Sequence, residues 1–141
     1  MIVYNSDEIV MPRFPKRKIS KWIKATALKY NKRVGDISYI FCSDKKILVI
    51  NKKYLNHNYF TDIITFDYSE ENIISGDIFI SIDTVKSNSQ KYETEYINEL
   101  YRVIIHGILH LCGVNDKSHE QRIVMEENEN IALLELNELL N

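Results

Sequence analysis

Apolar residues recur along this chain at two different periods. Ile19, Trp22, Ile23 and Ala27 fall at helical spacing in a lysine-rich segment ending near Asn31, which predicts an amphipathic helix with a basic outer face. A short first strand is expected at Ile2 to Tyr4. After Gly35 the run DISYIFC alternates Ile37, Tyr39 and Phe41 with Ser38, Ile40 and Cys42, as a mostly buried strand does. Ser43 stands where DKKILVINKKYL needs an N-cap, with Asp44 in the first turn. TDIITFDY and GDIFISI, joined by SEENIIS, predict an antiparallel hairpin with a long loop. Ser81 and Asp83 are candidate caps for a helix through VKSNSQKY, and a longer helix is expected from about Thr94 to Leu111, striped by Tyr96, Leu100, Val103 and Ile104. Gly113 stands where a left-handed cap is wanted, and from Ser118 a last helix carries Ile123, Val124, Ile131, Leu134 and Leu139. The pattern describes an α+β (mixed α/β) fold: a single domain over residues 1–141, with a roughly four-stranded mixed sheet and about five helices.

Composition narrows the class without naming a function. With 45% apolar and 27% charged residues in 141, the chain is of ordinary globular make-up. No apolar stretch approaches the ~20 residues of a membrane span. The start, MIVYNSDEIVMPRF, lacks the basic, apolar and small-residue regions of a signal peptide, so a cytoplasmic protein without a membrane partner is expected. Cys42 and Cys112 form no CxxC motif and are expected as reduced thiols. The net charge of −2 conceals a split: residues 1–60 hold 13 Lys+Arg against 4 Asp+Glu, and residues 61–141 hold 5 against 16. Charge alone does not separate a solvated basic helix from a surface that faces a polyanion.

Chemistry concentrates in HGILHLCGVNDKSH, residues 106 to 119. His106 and His110 are four apart, about 400° of helical rotation, so both imidazoles return to one face within reach of one ion. Packed, hydrogen-bonded core histidines would show the same spacing. The segment, however, gathers three of the chain's four histidines and an aspartate beside a helix-ending glycine. Asp116, beyond the break at Gly113, is the favoured third ligand and His119 the rival. Three nitrogen and oxygen donors leave a fourth tetrahedral position to water, the form of a catalytic zinc site. Cys112, roughly 200° around the helix from His110, is expected to face away. Zinc peptidases carry a general-base Glu directly after the first His; here Gly107 stands there, which disfavours a peptidase.

HGILHL followed by CGVND, together with TDIITFD at Thr61 to Asp67 and GDIFIS at Gly76 to Ser81, resembles the YbeY family of bacterial metal-dependent endoribonucleases and rRNA maturation factors, over residue 37 to the end. The resemblance implies a mixed sheet with packed helices, one divalent ion (zinc expected) in a cleft, no small-molecule cofactor, and roles in processing the 3′ end of small-subunit rRNA and in ribosome quality control. His106 and His110 match the family's first two metal ligands, while its third histidine falls on Asp116. An arginine usual after the Tyr of the segment before TDIITF falls on Leu55, leaving Lys52, Lys53 or His57 to supply charge nearby.

The expected activity is cleavage of single-stranded RNA by metal-bound water, with no side chain singled out as acid or base. Lys16, Arg17, Lys18, Lys21, Lys24, Lys52 and Lys53 are the candidate phosphate contacts, and an rRNA precursor and the small ribosomal subunit or its proteins the expected partners. The alternatives are a non-catalytic ribosome-biogenesis factor with a structural metal and a metal-dependent peptidase-like hydrolase.

Overall fold

The computed structural model describes residues 1–57 and 61–141. The elements run β1 (Ile2–Ser6), α1 (Lys16–Lys29), β2 (Arg33–Cys42), α2 (Asp44–Leu55), β3 (Ile63–Asp67), β4 (Ile73–Ser81), α3 (Ile82–Lys91), α4 (Tyr96–Leu111) and α5 (His119–Leu140). The strands form one sheet in the order β1-β2-β4-β3. β1 and β2 are parallel, as are β2 and β4, and β3 pairs antiparallel with β4. The described residues thus form an α+β fold with a four-stranded mixed sheet and five helices.

Both faces of the sheet are covered, which explains why β2 reads as almost continuously apolar. One face carries the larger core, in which Ile37, Tyr39, Phe41, Ile74, Ile78 and Ile80 meet Ile19, Trp22 and Ile23 of α1 and Leu100, Ile104 and Ile108 of α4. The other face carries a smaller core of Cys42, Ile47, Ile50 and Ile64 under α2, with Phe66 and Phe79. Trp22 ties three helices together. It is 2% exposed, meets Tyr101 of α4 edge-on at 6.4 Å and donates its indole N–H to Ala132 O of α5 at 2.8 Å.

Helix starts follow their caps. Ser43, Ser81 and Ser118 each accept the amide three residues on, and at Ser118 the Gln121 side chain completes a capping box. Asp83 does not cap its own helix: it lies inside α3 and accepts the Asp44 amide of α2. One expectation needs correcting, the extent of the loop before β4. β4 begins at Ile73, so half of SEENIIS is strand rather than loop, because Glu70 and Ile73 already bridge and turn the chain. On α5, Ile123, Val124, Ile131 and Leu134 are exposed, and the helix buries Met125, Glu129, Ala132 and Leu136 instead.

β3 and β4 meet closely at Gly76, where a Cβ would stand 2.3 Å from Phe66 O. The obstacle is backbone, so the hairpin itself must yield. Gly76→Ala is expected to cost about 1–3 kcal/mol, read as a lowered urea midpoint.

Candidate metal centre

The site grows from one face of α4. Glu99, Val103, His106 and His110 recur at i, i+4, i+7 and i+11 on a helix whose other faces are apolar, and they line a cavity of about 440 Å³. β3 with its approach (Thr61, Asp62, Ile63, Thr65) forms one wall, and Glu129 of α5 another. Gly113, at φ +98°, ends α4, with its amide on His110 O and the Val114 amide on Leu109 O. That reversal returns Asp116 over the helix, its Oδ2 3.2 Å from His106 Nε2. Two donors bound to one tetrahedral zinc at about 2.0–2.2 Å stand roughly 3.3–3.5 Å apart, so this pair is spaced like one edge of a coordination sphere.

The opposite nitrogen of His106 is held as well. Nδ1 lies 2.6 Å from Glu129 Oε2, and the Glu129 side chain is only 10% exposed. Arg102 clamps this carboxylate from behind, donating to Glu129 Oε1 at 2.8 Å and to Asn130 Oδ1 at 2.7 Å. A carboxylate on Nδ1 keeps the proton there and presents the Nε2 lone pair to the cavity, the arrangement that orients metal-binding histidines. His110 Nδ1 is buried without a hydrogen-bond partner among the described residues. Such an orphan costs about 1–3 kcal/mol unless something satisfies it.

Four carboxyl groups surround this cavity: Asp62, Glu99, Asp116 and Glu129. Burial pushes Asp62 up, against the opposing charge of His106, and Glu129 adds to the rise. Burial also raises Glu99, partly offset by Arg102, with Asp62 and Glu129 adding. For His106, burial pulls downward, but the Glu129 hydrogen bond and the charges of Glu129, Asp116 and Asp62 outweigh it and hold the imidazole above its ordinary value. In the ion-free protein this pairing therefore stabilises the fold below the ordinary histidine pKa, and the contribution is lost as pH rises through the raised one. No three His, Cys, Asp or Glu side chains among the described residues close on a single ion-sized point; His106 and Asp116 are paired, and His110 lines the same wall. The nitrogen and oxygen donors, the orphaned Nδ1 and the surplus of carboxylates fit a divalent cation.

His119 is exposed at the first residue of α5 and takes no part in the wall, whereas Asp116 does. Cys112 packs against the larger core, its thiol pushed up to about 11 by burial. Gly107 faces the sheet, where a Cβ would stand 3.0 Å from Ile78 Cδ1 and 3.2 Å from Ile63 Cδ1. A glutamate there would point into packed isoleucines, so no peptidase-type base has room. Lys16, Arg17, Lys21 and Lys24 share a separate groove, and Lys18 is exposed outside it. Lys52 and Lys53 lie in the last turn of α2, away from the cavity wall, and Leu55 ends that helix 40% exposed.

Sequence reasoning missed Glu129, Arg102, Glu99 and Asp62. A signal existed for the first: Met125, Ala132 and Leu136 form a helical stripe in which Glu129 is the one charged member. Arg102 and Glu99, four and seven residues before His106, extend its face backward.

The chain matches the family model described as Endoribonuclease YbeY over residues 2–137, further toward the amino end than the motifs alone reach. A protein named Endoribonuclease YbeY from Parabacteroides distasonis is 60% identical over 132 residues, covering 94% of this chain and 93% of that one. The proteins of the same name from Bacteroides fragilis and Porphyromonas gingivalis are 58% and 46% identical, covering 94% and 99% of this chain and 95% and 92% of theirs. Among solved structures, the solution structure of a Thermotoga maritima protein superposes with a TM-score of 0.66 at 25% identity, covering 96% of this chain and 89% of that one.

Proposed function

Since the chain belongs to the YbeY endoribonuclease family, we propose that it is a divalent-metal-dependent endoribonuclease, with zinc as its ion, acting in the cytoplasm on the 3′ end of the small-subunit rRNA precursor and in ribosome quality control. The observation that carries the metal reading is His106, faced by Asp116 on Nε2 and braced by Glu129 on Nδ1, in the wall of an acidic cavity. Four carboxyl groups outnumber Arg102 in the wall, so a bound cation would favour the entry of a polyanion. RNA as substrate and a metal in the site thus support each other.

His106, His110 and Asp116 would hold the ion. When bound it supplies Lewis acidity and eases ionisation of water at neutral pH. Glu129 fixes the tautomer of His106, and Arg102 holds Glu129 in place. Asp62 is the wall's candidate for proton transfer, because its raised pKa brings a carboxylate toward working pH. The Thr61 and Thr65 hydroxyls and the Asn88 amide offer donors to phosphate oxygens, and the Tyr92 ring offers a face on which a base can stack.

Purified protein is expected to carry one equivalent of ion by elemental analysis and to cut a small-subunit rRNA precursor, with Asp116→Ala slower by about 100-fold or more. Equal cleavage by both proteins would sink this reading of the site.

A further inference from the structure

The excess positive charge of the amino-terminal half has a defined location. Lys16, Arg17, Lys21 and Lys24 of α1 line one groove with Ile2 and Tyr4 of β1, a volume of about 410 Å³. No acidic side chain lines it. None of these four cations has an ion-pair partner among the described residues, whereas Lys29, further along the same helix, is paired with Glu135 of α5. Lys16 instead lies over the Phe14 ring, 5.1 Å from its centroid. Four like charges along two turns of one helix repel one another, with no carboxylate paired to them among the described residues. The groove floor is set rigidly: Tyr4 stacks on Tyr39, meets Phe14 edge-on, and shares a 2.9 Å hydrogen bond between its hydroxyl and that of Ser20.

The groove stands at the opposite edge of the sheet from the metal centre. β1 is one outer strand and β3, which walls the acidic cavity, the other. Three strand spacings separate these edges, about 14 Å. The molecule is thus electrically divided, with a cation-lined groove at one edge and a carboxylate-lined cavity at the other.

From this division we propose that the α1–β1 groove is a second RNA-docking site, which grips the sugar-phosphate backbone of the substrate away from the cut and delivers the strand to a cavity that would by itself repel it. The proposal rests on the endoribonuclease reading and adds a surface to it. The contacts are to phosphate, so they carry affinity and salt dependence but no sequence preference. An RNA long enough to reach both edges uses the groove, and a short oligonucleotide confined to the cavity does not.

The test uses the full chain and a fluorescein-labelled single-stranded 20-mer, with affinity followed by anisotropy across a salt series. The double variant Lys21→Glu, Lys24→Glu, both exposed positions, is compared with Lys45→Glu, Lys86→Glu, which makes the same charge change at exposed positions outside the groove and the cavity. The α1 variant is expected to bind at least tenfold more weakly, with a salt slope flatter by about one to two, while the Lys45, Lys86 variant changes less than threefold. In cleavage of the same RNA the α1 change raises KM at constant kcat, and with a short oligonucleotide it alters neither. Equal losses from both variants, no loss from either, or binding of phosphatidylserine vesicles in preference to RNA would overturn the docking site. Absence of cleavage by the unmodified protein, with the groove effect on binding intact, would overturn the enzymatic reading alone.

Discussion

His106→Ala is expected to abolish stoichiometric metal binding and lower RNA cleavage by more than about 100-fold, since the loss of a ligand should exceed the roughly 10- to 100-fold typical of losing a group that only hydrogen-bonds a ligand. The substitution removes two contacts at once: the Nε2 that faces Asp116 and the Nδ1 that engages Glu129. Glu129 keeps its bond to Arg102, so the carboxylate is not abandoned in the interior and the fold should survive. Glu129→Gln is the informative companion. It keeps the side chain's size and leaves every metal donor in place, but weakens the hold on the His106 tautomer, so metal affinity should fall about 10- to 100-fold. Titration of the ion-free proteins with zinc, against a competing chelator, measures both. A His106→Ala protein that still takes up one tight equivalent would remove His106 from the ligand set, and an unchanged Glu129→Gln would make the brace irrelevant to the site.

The second large effect concerns stability. Trp22→Ala should cost about 3–5 kcal/mol, the range for deleting a large buried aromatic. It empties the junction of α1, α4 and α5 and leaves Ala132 O without its indole donor. Against a total stability of roughly 5–15 kcal/mol, such a loss removes a large share of the folded population's margin. With a urea m-value of about 2 kcal/mol/M, the midpoint should fall by about 2 M. A fall of less than about 0.5 M would show that the three helices hold together without the tryptophan.

What could be read from the sequence depended on whether its cause was local. The serine caps at 43, 81 and 118 and the glycine turn at 113 are short-range events, and the elements they bound lie close to where spacing placed them. The start of β4 at Ile73 was less legible, because a polar run becomes strand only when a neighbour pairs with it, and β2 does so through Arg33 and Val34. The inward face of α5 was not legible for a related reason. Its apolar residues are spread around the helix, so periodicity selects no face, and packing against Trp22 and α4 makes the selection. At the site, His106, His110 and Asp116 lie within one short segment, where spacing alone could place them on one cavity wall. Glu129 and Arg102 come from separate helices, and Asp62 from the approach to an edge strand. Their roles exist only in three dimensions, and the traces they left were a glutamate on an apolar stripe and an arginine one turn before His106.

The three-residue step from Glu129 to Ala132 has a kinetic consequence. One turn of α5 carries both the carboxylate that braces His106 and the carbonyl that receives the Trp22 indole. Detaching that turn would release the imidazole and unseat the tryptophan in a single opening. The residence time of a bound ion and the amide-exchange lifetime of mid-α5 should accordingly rise and fall together, so the slowest step in losing the metal would be a helix leaving rather than a bond breaking.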